Sequence, residues 1–309
     1  MFQGMHYVYE VYKEMSFSKA ARNLFISQPS LSAAVKKAEA QIGFPIFDRS
    51  SNHIQLTELG KEYIRSIEII MDVENGFKNY INDMKELKSG TIAIGGTNLF
   101  ASYVLPPLLS RFTEQYPQVQ VNLVEATTSQ LTDRLFSGSL DLLIDNKSMD
   151  PAIYQKSFFC EEHLLLAVPI RLSVNEKMKN YALTASDIRE NRHLNSRIPP
   201  VPLENFQDES FLLLKSGNDT RTRADRICHN AHVIPKIKLE LDQQITAYNL
   251  SRYGMGISFC SDTLVRHVPD DEGLVYYKLN HQDALREVNF YYKRNRYMPR
   301  IVSTFLDMI

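Results

Sequence analysis

The sequence predicts an α/β protein in three parts: a small helical unit with a two-stranded wing, one long helix, and two α/β lobes. Three observations predict it. Short helical patterns fill residues 5–42. A single amphipathic pattern then runs from Thr57 to about Lys88. From Ser89 onward strand-like runs alternate with helix-like runs, which implies a parallel sheet.

The elements follow in order. Met5, Val8 and Tyr12 recur at i, i+3 and i+7 and predict a first amphipathic helix. Ser16 or Ser18 can cap a second, running to about Leu24, with Ala20, Ala21 and Leu24 as a tight packing face. After the turn Phe25-Ile26-Ser27, Ser27 can cap a third helix. Pro29 sits near its start, where the missing N–H costs nothing. Leu31, Val35, Ala38 and Ile42 form its buried stripe, Pro29, Ser32, Ala33 and Lys36 lie on another face, and Gly43 ends it. Residues 44–57 read as a wing: Ile46-Phe47, the polar tip Arg49 to His53, then Ile54 to Leu56. Thr57 can cap the long helix, roughly 48 Å in length. Its stripe Tyr63, Ile67, Ile70, Phe77, Ile81 and Met84, with Val73 standing in beside Glu74, needs a partner. A second copy of the chain is the simplest one, and a single amphipathic helix packed on its own chain is the alternative.

In the first lobe, strands are expected at Thr91–Gly95, Val119–Val124 and Asp141–Ile144, with helices at Leu99–Gln115 and Ser129–Ser137. In the second, strands are expected at Leu164–Val168, Ser210–Leu214, Lys236–Leu241 and Ile257–Cys260, with helices at Asp219–Ala231 and Gln243–Arg252. Leu274–Leu279, Val288–Tyr292 and a last helix are expected to return to the first sheet. That gives two lobes joined by two crossings, with ligands at the carboxyl ends of the strands.

Composition narrows the classes. The chain has 309 residues, 44% hydrophobic and 23% charged, with 35 Lys/Arg against 36 Asp/Glu for a net charge of −1. Disorder, a disulfide scaffold and indiscriminate coating of polyanions are poor readings. Three sparse cysteines, Cys160, Cys228 and Cys260, suit a reducing cytosol, so a cytoplasmic location is expected. The N-terminus carries Glu10, Lys13 and Glu14 within an amphipathic pattern and does not read as a signal peptide. The charge-free run Ser89–Ser110 is broken by glycines and by Pro106 and Pro107, so no membrane span is expected.

The segment SFSKAARNLFISQPSLSAAVKKAEAQIGFPIFDRSSNHIQLTELG resembles the DNA-binding domain of LysR-type transcriptional regulators. SGTIAIGG, LPPLLSRFTEQYPQVQVNL, LDLLI and GMGISF extend the resemblance over essentially the whole chain. It implies a winged helix-turn-helix at 1–57, a dimerising linker helix at 58–88, and an effector domain at 89–309 like periplasmic binding proteins. Lobe I would take about 89–162 and 266–309, and lobe II about 163–265. It further implies a homodimer or homotetramer on promoter DNA, a contact with RNA polymerase, and a small effector that alters DNA bending or contacts. The sequence departs from the family at Ala38, where Leu is usual, and at Ala33 and Ala34, where Arg or Gln is common. At the wing tip, Asn52 and His53 replace a second basic residue and leave Arg49 as the main wing cation.

Within that frame, Gln28 can pair bidentately with adenine, Ser32 can reach a base or phosphate, and the Ala33 methyl can touch a thymine methyl. Lys36 and Lys37 are placed for phosphate, with Ser18, Lys19 and Arg22 bracketing the backbone, Pro29 at the helix start, and Arg49 on the wing. Thr97 and Asn98, then Thr127, Thr128 and Ser129, follow strands and precede helices. Ser216, Gly217 and Asn218, then Gln243 and Gln244, do the same in the second lobe. These are the family's usual effector positions, and hydroxyls at helix N-termini suit an anion, so a small carboxylate or related metabolite is the favoured ligand.

The residues carry no HExxH, GxSxG, P-loop, CxxC or GxGxxG, so no catalysis and no cofactor are expected. His229 and His232 read as surface histidines beside Cys228, and no metal site is expected. A cytosolic small-molecule binding protein without DNA readout is the alternative. Residues 1–57 hold six Lys/Arg against four acids, a bias of only +2. DNA affinity should therefore depend on specific contacts and on avidity.

Overall fold

The computed structural model describes residues 2–48, 54–84, 90–269 and 272–309. Helices α1 (Met5–Glu14), α2 (Phe17–Asn23) and α3 (Gln28–Ile42) pack around one core. On α1 it is Val11 that joins Met5 and Val8 in the interior, while Tyr12 stays half-buried. Leu31, Val35 and Ala38 of α3 are buried. Each fully buried Leu or Val contributes about 1.5–3 kcal/mol. That burial fixes the rotation of α3 and turns its other face outward. The wing pairs β1 (Phe47–Asp48) with β2 (Gln55–Leu56) in antiparallel register. Its tip, with Arg49, Asn52 and His53, lies outside the described residues. The Glu39 carboxylate accepts the N–H groups of Ile46 at 2.9 Å and Phe47 at 3.2 Å, tying the wing to the end of α3.

The long helix α4 (Glu58–Met84) begins as expected, with the Thr57 hydroxyl accepting the Gly60 N–H at 2.9 Å. Gly60 must lack a side chain, because a Cβ there would stand 2.1 Å from the Ile46 carbonyl oxygen. Tyr63, Ile64 and Ile67 bury against the N-terminal unit. Further along, Ile69, Val73, Phe77 and Tyr80 are exposed, Val73 to 69% and Phe77 to 62%.

In lobe I, β3 (Gly90–Gly96) is flanked by β4 (Val119–Glu125) and β5 (Leu142–Asp145), all parallel. A π-helical turn, Phe100–Val104, leads into α5 (Leu105–Gln115), and α6 (Thr128–Ser137) joins β4 to β5. Strand β6 (Tyr154–Pro169) is far longer than the expected Leu164–Val168 and crosses between the lobes. After β6 come α7 (Val174–Lys177), α8 (Ala185–Arg189), β7 (Ser210–Leu214), α9 (Asp219–Asn230), β8 (Lys236–Leu241) and α10 (Gln244–Arg252). Then follow β9 (Ile257–Ser261), α11 (Asp262–His267), β10 (Leu274–Lys278), β11 (Leu285–Lys293) and α12 (Arg300–Asp307).

The strand order is β4-β3-β5-β11-β6-β9-β7-β8, with β10 also on β6. The outer strands are parallel, but β11, β6 and β10 pair antiparallel with their neighbours, so the sheet is mixed. Residues 154–163 of β6 pair with β11, and Leu164 to Ala167 pair with β9. The strand therefore changes partner between His163 and Leu164. One expectation fails: β10 does not return to the first sheet. It pairs with residues 165–169 of β6 in lobe II, because Tyr276 and Tyr277 bury in the two cores of that lobe. Lobe II thus extends to about residue 278, and only β11 and α12 complete lobe I. Among the described residues, no helix is long and apolar enough to cross a membrane.

Candidate functional site

The first candidate site is the outer face of α2 and α3. Ser16, and not Ser18, caps α2 by accepting the Lys19 N–H at 3.3 Å. The turn places Phe25 in the left-handed region at φ 54°. Ser27 then caps α3 by accepting the Ser30 N–H, with Pro29 in the first turn. Ser18, Lys19, Arg22, Gln28, Pro29, Ala33, Lys36 and Lys37 are all exposed, and Ser32 is half-buried beside them. Arg22 Nε donates to the Ser18 carbonyl at 3.4 Å. Two nearby acids are occupied elsewhere: Glu10 and Glu14 both accept from the Asn23 amide, at 2.9 and 3.0 Å. Gln28, Ser32, Lys36 and Lys37 hold no side-chain partner among the described residues. Arg49 lies outside those residues.

The second is a cleft of about 300 Å³ between the lobes. Thr97, Asn98, Thr127, Thr128, Ser129, Ser216, Gly217, Asn218, Gln243 and Gln244 all line it. The helices α6, α9 and α10 begin here, so three helix N-termini converge on the cleft; those of α6 and α9 are side-chain capped, and that of α10 has no side-chain cap. Several of these side chains already have work. Thr127 forms a capping box with Gln130, and the Asn218 side-chain carbonyl oxygen accepts the Thr220 N–H at 2.9 Å. Asn98 donates to Glu125 at 2.9 Å, Thr128 to Asp145 at 2.8 Å, and Gln244 accepts from Ser261 at 3.1 Å. Thr97, Ser129, Ser216 and Gln243 keep side chains without hydrogen bonds among the described residues.

Sequence reading missed the charged floor of this cleft. Arg286, on β11, is buried. It donates to Glu162 at 2.6 Å, Asp219 at 3.0 Å and Thr220 at 3.1 Å. Glu162 is fully buried, so this pair is enclosed. Asp145 is buried too, and burial pushes its carboxyl above the ordinary range against the hydrogen bonds from Lys147 N–H and Thr128. Lys147, Lys215 and Arg286 face Asp145, Asp219 and Asp242 around the cleft, a balanced set. Only the spacing of residues far apart in the chain makes this floor, and no local motif marks it.

The far end of α6 meets the linker helix. Asp72 of α4 is buried, 2.6 Å from Arg296 Nε and 3.1 Å from Lys293 Nζ. Arg296 also pairs with Asp141 at 2.8 Å. Arg65 and Lys293 lie over the Phe136 ring at 4.8 and 5.3 Å. Gly138 ends α6 at φ +79°, and a Cβ there would stand 1.9 Å from the Asp72 carboxylate. One helix, α6, thus spans from the cleft to α4.

The cysteines are free, and burial pushes Cys160 and Cys228 up to about 12 and Cys260 higher still. All three are thiols at neutral pH, the opposite of an activated redox centre. His229 and His232 are exposed, as expected of surface histidines.

A winged helix-turn-helix joined by a long helix to a two-lobed binding domain defines a DNA-reading regulator with a ligand-binding module. Residues 2–61 match the bacterial regulatory helix-turn-helix protein, lysR family, and residues 85–309 match the LysR substrate binding domain, so the chain belongs to the LysR family of transcriptional regulators. It is 28% identical over 307 residues to the uncharacterized HTH-type transcriptional regulator YcgK of Bacillus subtilis (strain 168), covering 98% of this chain and 92% of that one. A probable RuBisCO transcriptional regulator of Gracilaria tenuistipitata var. liui is 24% identical, covering 96% and 91%. A full-length OxyR variant from Pseudomonas aeruginosa superimposes at a TM-score of 0.73 and 21% identity, covering 100% of this chain and 94% of that one. CbnR in complex with its target DNA superimposes at 0.65 and 16% identity, covering 100% and 98%. Both share the fold.

Proposed function

We propose that this regulator reads promoter DNA through the exposed face of α2 and α3, and that a small polar acid bound between the lobes changes its grip. In this reading Gln28, Ser32 and Ala33 meet base edges. Ser18, Lys19, Arg22, Lys36, Lys37 and Arg49 position the backbone, and Pro29 sets the start of the reading helix. Thr97, Ser129, Ser216 and Gln243, with their unpaired side chains, are the first ligand contacts. Asn98, Thr127, Thr128, Gly217, Asn218 and Gln244 shape the cleft around them. The three helix starts favour one carboxylate on the ligand, and the balanced charges of the floor favour hydroxyl or amide groups over a second one.

A single observation carries the reading: α6 begins at the cleft and ends against Asp72 of α4. A ligand that draws the lobes together moves α6, and α6 leans on the linker helix. The exposed stripe Ile69, Val73, Phe77 and Tyr80 suits the same stripe on a second copy, in a dimer or tetramer acting in the cytoplasm beside RNA polymerase. The chain acts by binding and performs no catalysis. Full-length protein melted against a panel of small carboxylates tests the ligand class, since a bound ligand raises the melting temperature by mass action. A hit that is lost in Ser129→Ala and Gln243→Ala is the expected result. A hit that survives both variants contradicts the cleft assignment. Dimerisation is tested separately. Val73→Asp with Phe77→Asp should leave a monomer that melts like the parent and binds promoter DNA about 100-fold or more weaker. A monomer of parental affinity contradicts the avidity argument.

A further inference from the structure

We infer that His163, His193 and Asp262 form a binding site for one divalent transition-metal ion, Zn²⁺ in the first place, beside the point where β6 passes between the lobes. The three residues are distant in sequence and come from β6, from the 3-10 turn Arg192–Leu194, and from the start of α11. The fold brings one ligand atom of each within 4.8 Å of the others. His193 Nε2 is 3.0 Å from Asp262 Oδ2, and His163 Nδ1 is 3.6 Å from the same oxygen. The rings of the two histidines are 5.8 Å apart and nearly perpendicular.

The two separations to Asp262 Oδ2, 3.0 and 3.6 Å, bracket the spacing of ligands on one ion. Ligand atoms held at about 2.0–2.1 Å on a tetrahedral ion stand roughly 3.3 Å from one another. The 3.6 Å gap between His163 and Asp262 is too long for a hydrogen bond and close to that edge. The His163 Nδ1 atom is buried and makes no hydrogen bond among the described residues. A buried ring nitrogen aimed at a carboxylate, too far to bond it directly, is placed to share a cation with it. The side chains of His193 and Asp262 are 1% and 3% exposed, and that of His163 is 28% exposed, which gives an entry path.

The donor chemistry points to the class. Two imidazole nitrogens and one carboxylate oxygen suit Zn²⁺, Co²⁺ or Ni²⁺ better than Mg²⁺ or Ca²⁺, which prefer oxygen. Three protein ligands leave a fourth position open. Asp262 is pre-set for the role: its Oδ1 accepts the His163 backbone N–H at 2.9 Å, which fixes the carboxylate, and Oδ2 faces both rings. The competitor is Arg266, 3.2 Å from Asp262 Oδ2 and 3.5 Å from His193 Nε2. Its side chain is 28% exposed and can swing to solvent when an ion enters. Binding is then an exchange of one cation for another on a fixed carboxylate.

The position gives the exchange a consequence. His163 is the last residue of β6 paired to β11, and the next residue pairs with β9. Its neighbour Glu162 holds Arg286 in the floor of the cleft. An ion on His163 therefore ties β6 to α11 where β6 passes from one lobe to the other.

The test uses tag-free, full-length protein and the metals alone. Zn²⁺ is titrated against a chromophoric chelator, and Co²⁺ uptake is followed by its visible absorption. One equivalent is expected, with visible bands of a low-coordinate ion. His163→Ala, at a partly exposed position, should keep the circular dichroism of the parent and weaken binding at least about tenfold. Arg266→Ala should tighten binding, because it removes the competing cation. A purely structural Asp–His–Arg network would be weakened by the same substitution and would gain no metal affinity. His229→Ala and His232→Ala should change nothing. The inference is overturned if the parent takes up no stoichiometric ion, if His163→Ala binds like the parent, if uptake follows Cys160 instead, or if Arg266→Ala binds more weakly.

Discussion

The face of α2 and α3 and the cleft between the lobes are built on opposite plans. On the helical face, the polar side chains stand exposed apart from half-buried Ser32, and Gln28, Ser32, Lys36 and Lys37 keep their hydrogen-bonding capacity unspent among the described residues. In the cleft most polar groups are already committed: Thr128 to Asp145, Asn98 to Glu125, and Arg286 to Glu162 and Asp219. The difference fits the proposed partners. A duplex carries its own charges and edges, so a free side chain is what it needs. A small ligand needs a pre-shaped pocket whose polar groups are already fixed. Residues on the face should therefore govern binding with little effect on stability, whereas residues of the cleft floor should govern both.

Arg286→Ala probes the contrast hardest. It leaves Glu162 buried without its cation, which should destabilise the effector domain by about 3–5 kcal/mol. Denaturant unfolding of the full chain, read by tyrosine fluorescence, would measure this, and a loss below about 1 kcal/mol would mean the pair is solvated. Arg286→Met tests the same site with the volume kept, and it should cost nearly as much, because the carboxylate remains.

Gln28→Ala is next. It should leave the melting temperature within experimental error and cost about 1–3 kcal/mol in discrimination at one base pair. Lys36→Ala should instead weaken all sequences alike and lower the salt slope of binding by about 1. Anisotropy titrations at several salt concentrations separate the two. Loss of folding stability in either variant would erase the distinction drawn between the two regions.

The smallest effect concerns pH in the cleft. Burial raises the Asp145 carboxyl in the folded chain above its unfolded value of about 3.9. The folded state then binds more protons than the unfolded state across that interval. The stability contributed by the protonated acid is whole below the unfolded pKa and is lost as pH rises through the folded pKa. Asp145→Asn should flatten that part of the stability profile. An unchanged profile would place the titration elsewhere.

The two plans also differ in how far they can be read from sequence. The reading face is local: the caps Ser16 and Ser27, the stripe Leu31, Val35 and Ala38, and the stop at Gly43 all lie close in the chain to what they control. The lining of the cleft was legible for a related reason, since strand ends and helix starts announce themselves by Thr, Ser, Asn and Gly. Its floor was not, because Arg286 and Glu162 are 124 residues apart and meet only through strand pairing. The same holds for His163, His193 and Asp262. The first half of β6 went unassigned because Lys156, Glu161 and Glu162 break its apolar pattern, so only Leu164–Val168 read as a strand. The return of β10 to lobe II was hidden by topology: its apolar residues suit either sheet, and the pairing with β6 decides. On α4 the first half of the stripe was legible, with Tyr63 and Ile67 buried and Ile70 packed against the N-terminal unit, but beyond it the exposed apolar residues are Ile69, Val73, Phe77 and Tyr80, and Ile81 is half-buried. Asp72, a charged residue inside that helix, reads as surface until Arg296 and Lys293 are brought to it.

The central claim is that this chain reads DNA through unspent side chains on α3. The most direct measurement is a quantitative footprint of the full-length protein on DNA upstream of its own and neighbouring genes, run beside the Gln28→Ala, Lys36→Ala double variant. The expected result is a protected, partly palindromic site for the parent, and for the variant a protection that fades at equal concentration while its melting curve stays unchanged. Protection that persists unaltered in the folded double variant would contradict it.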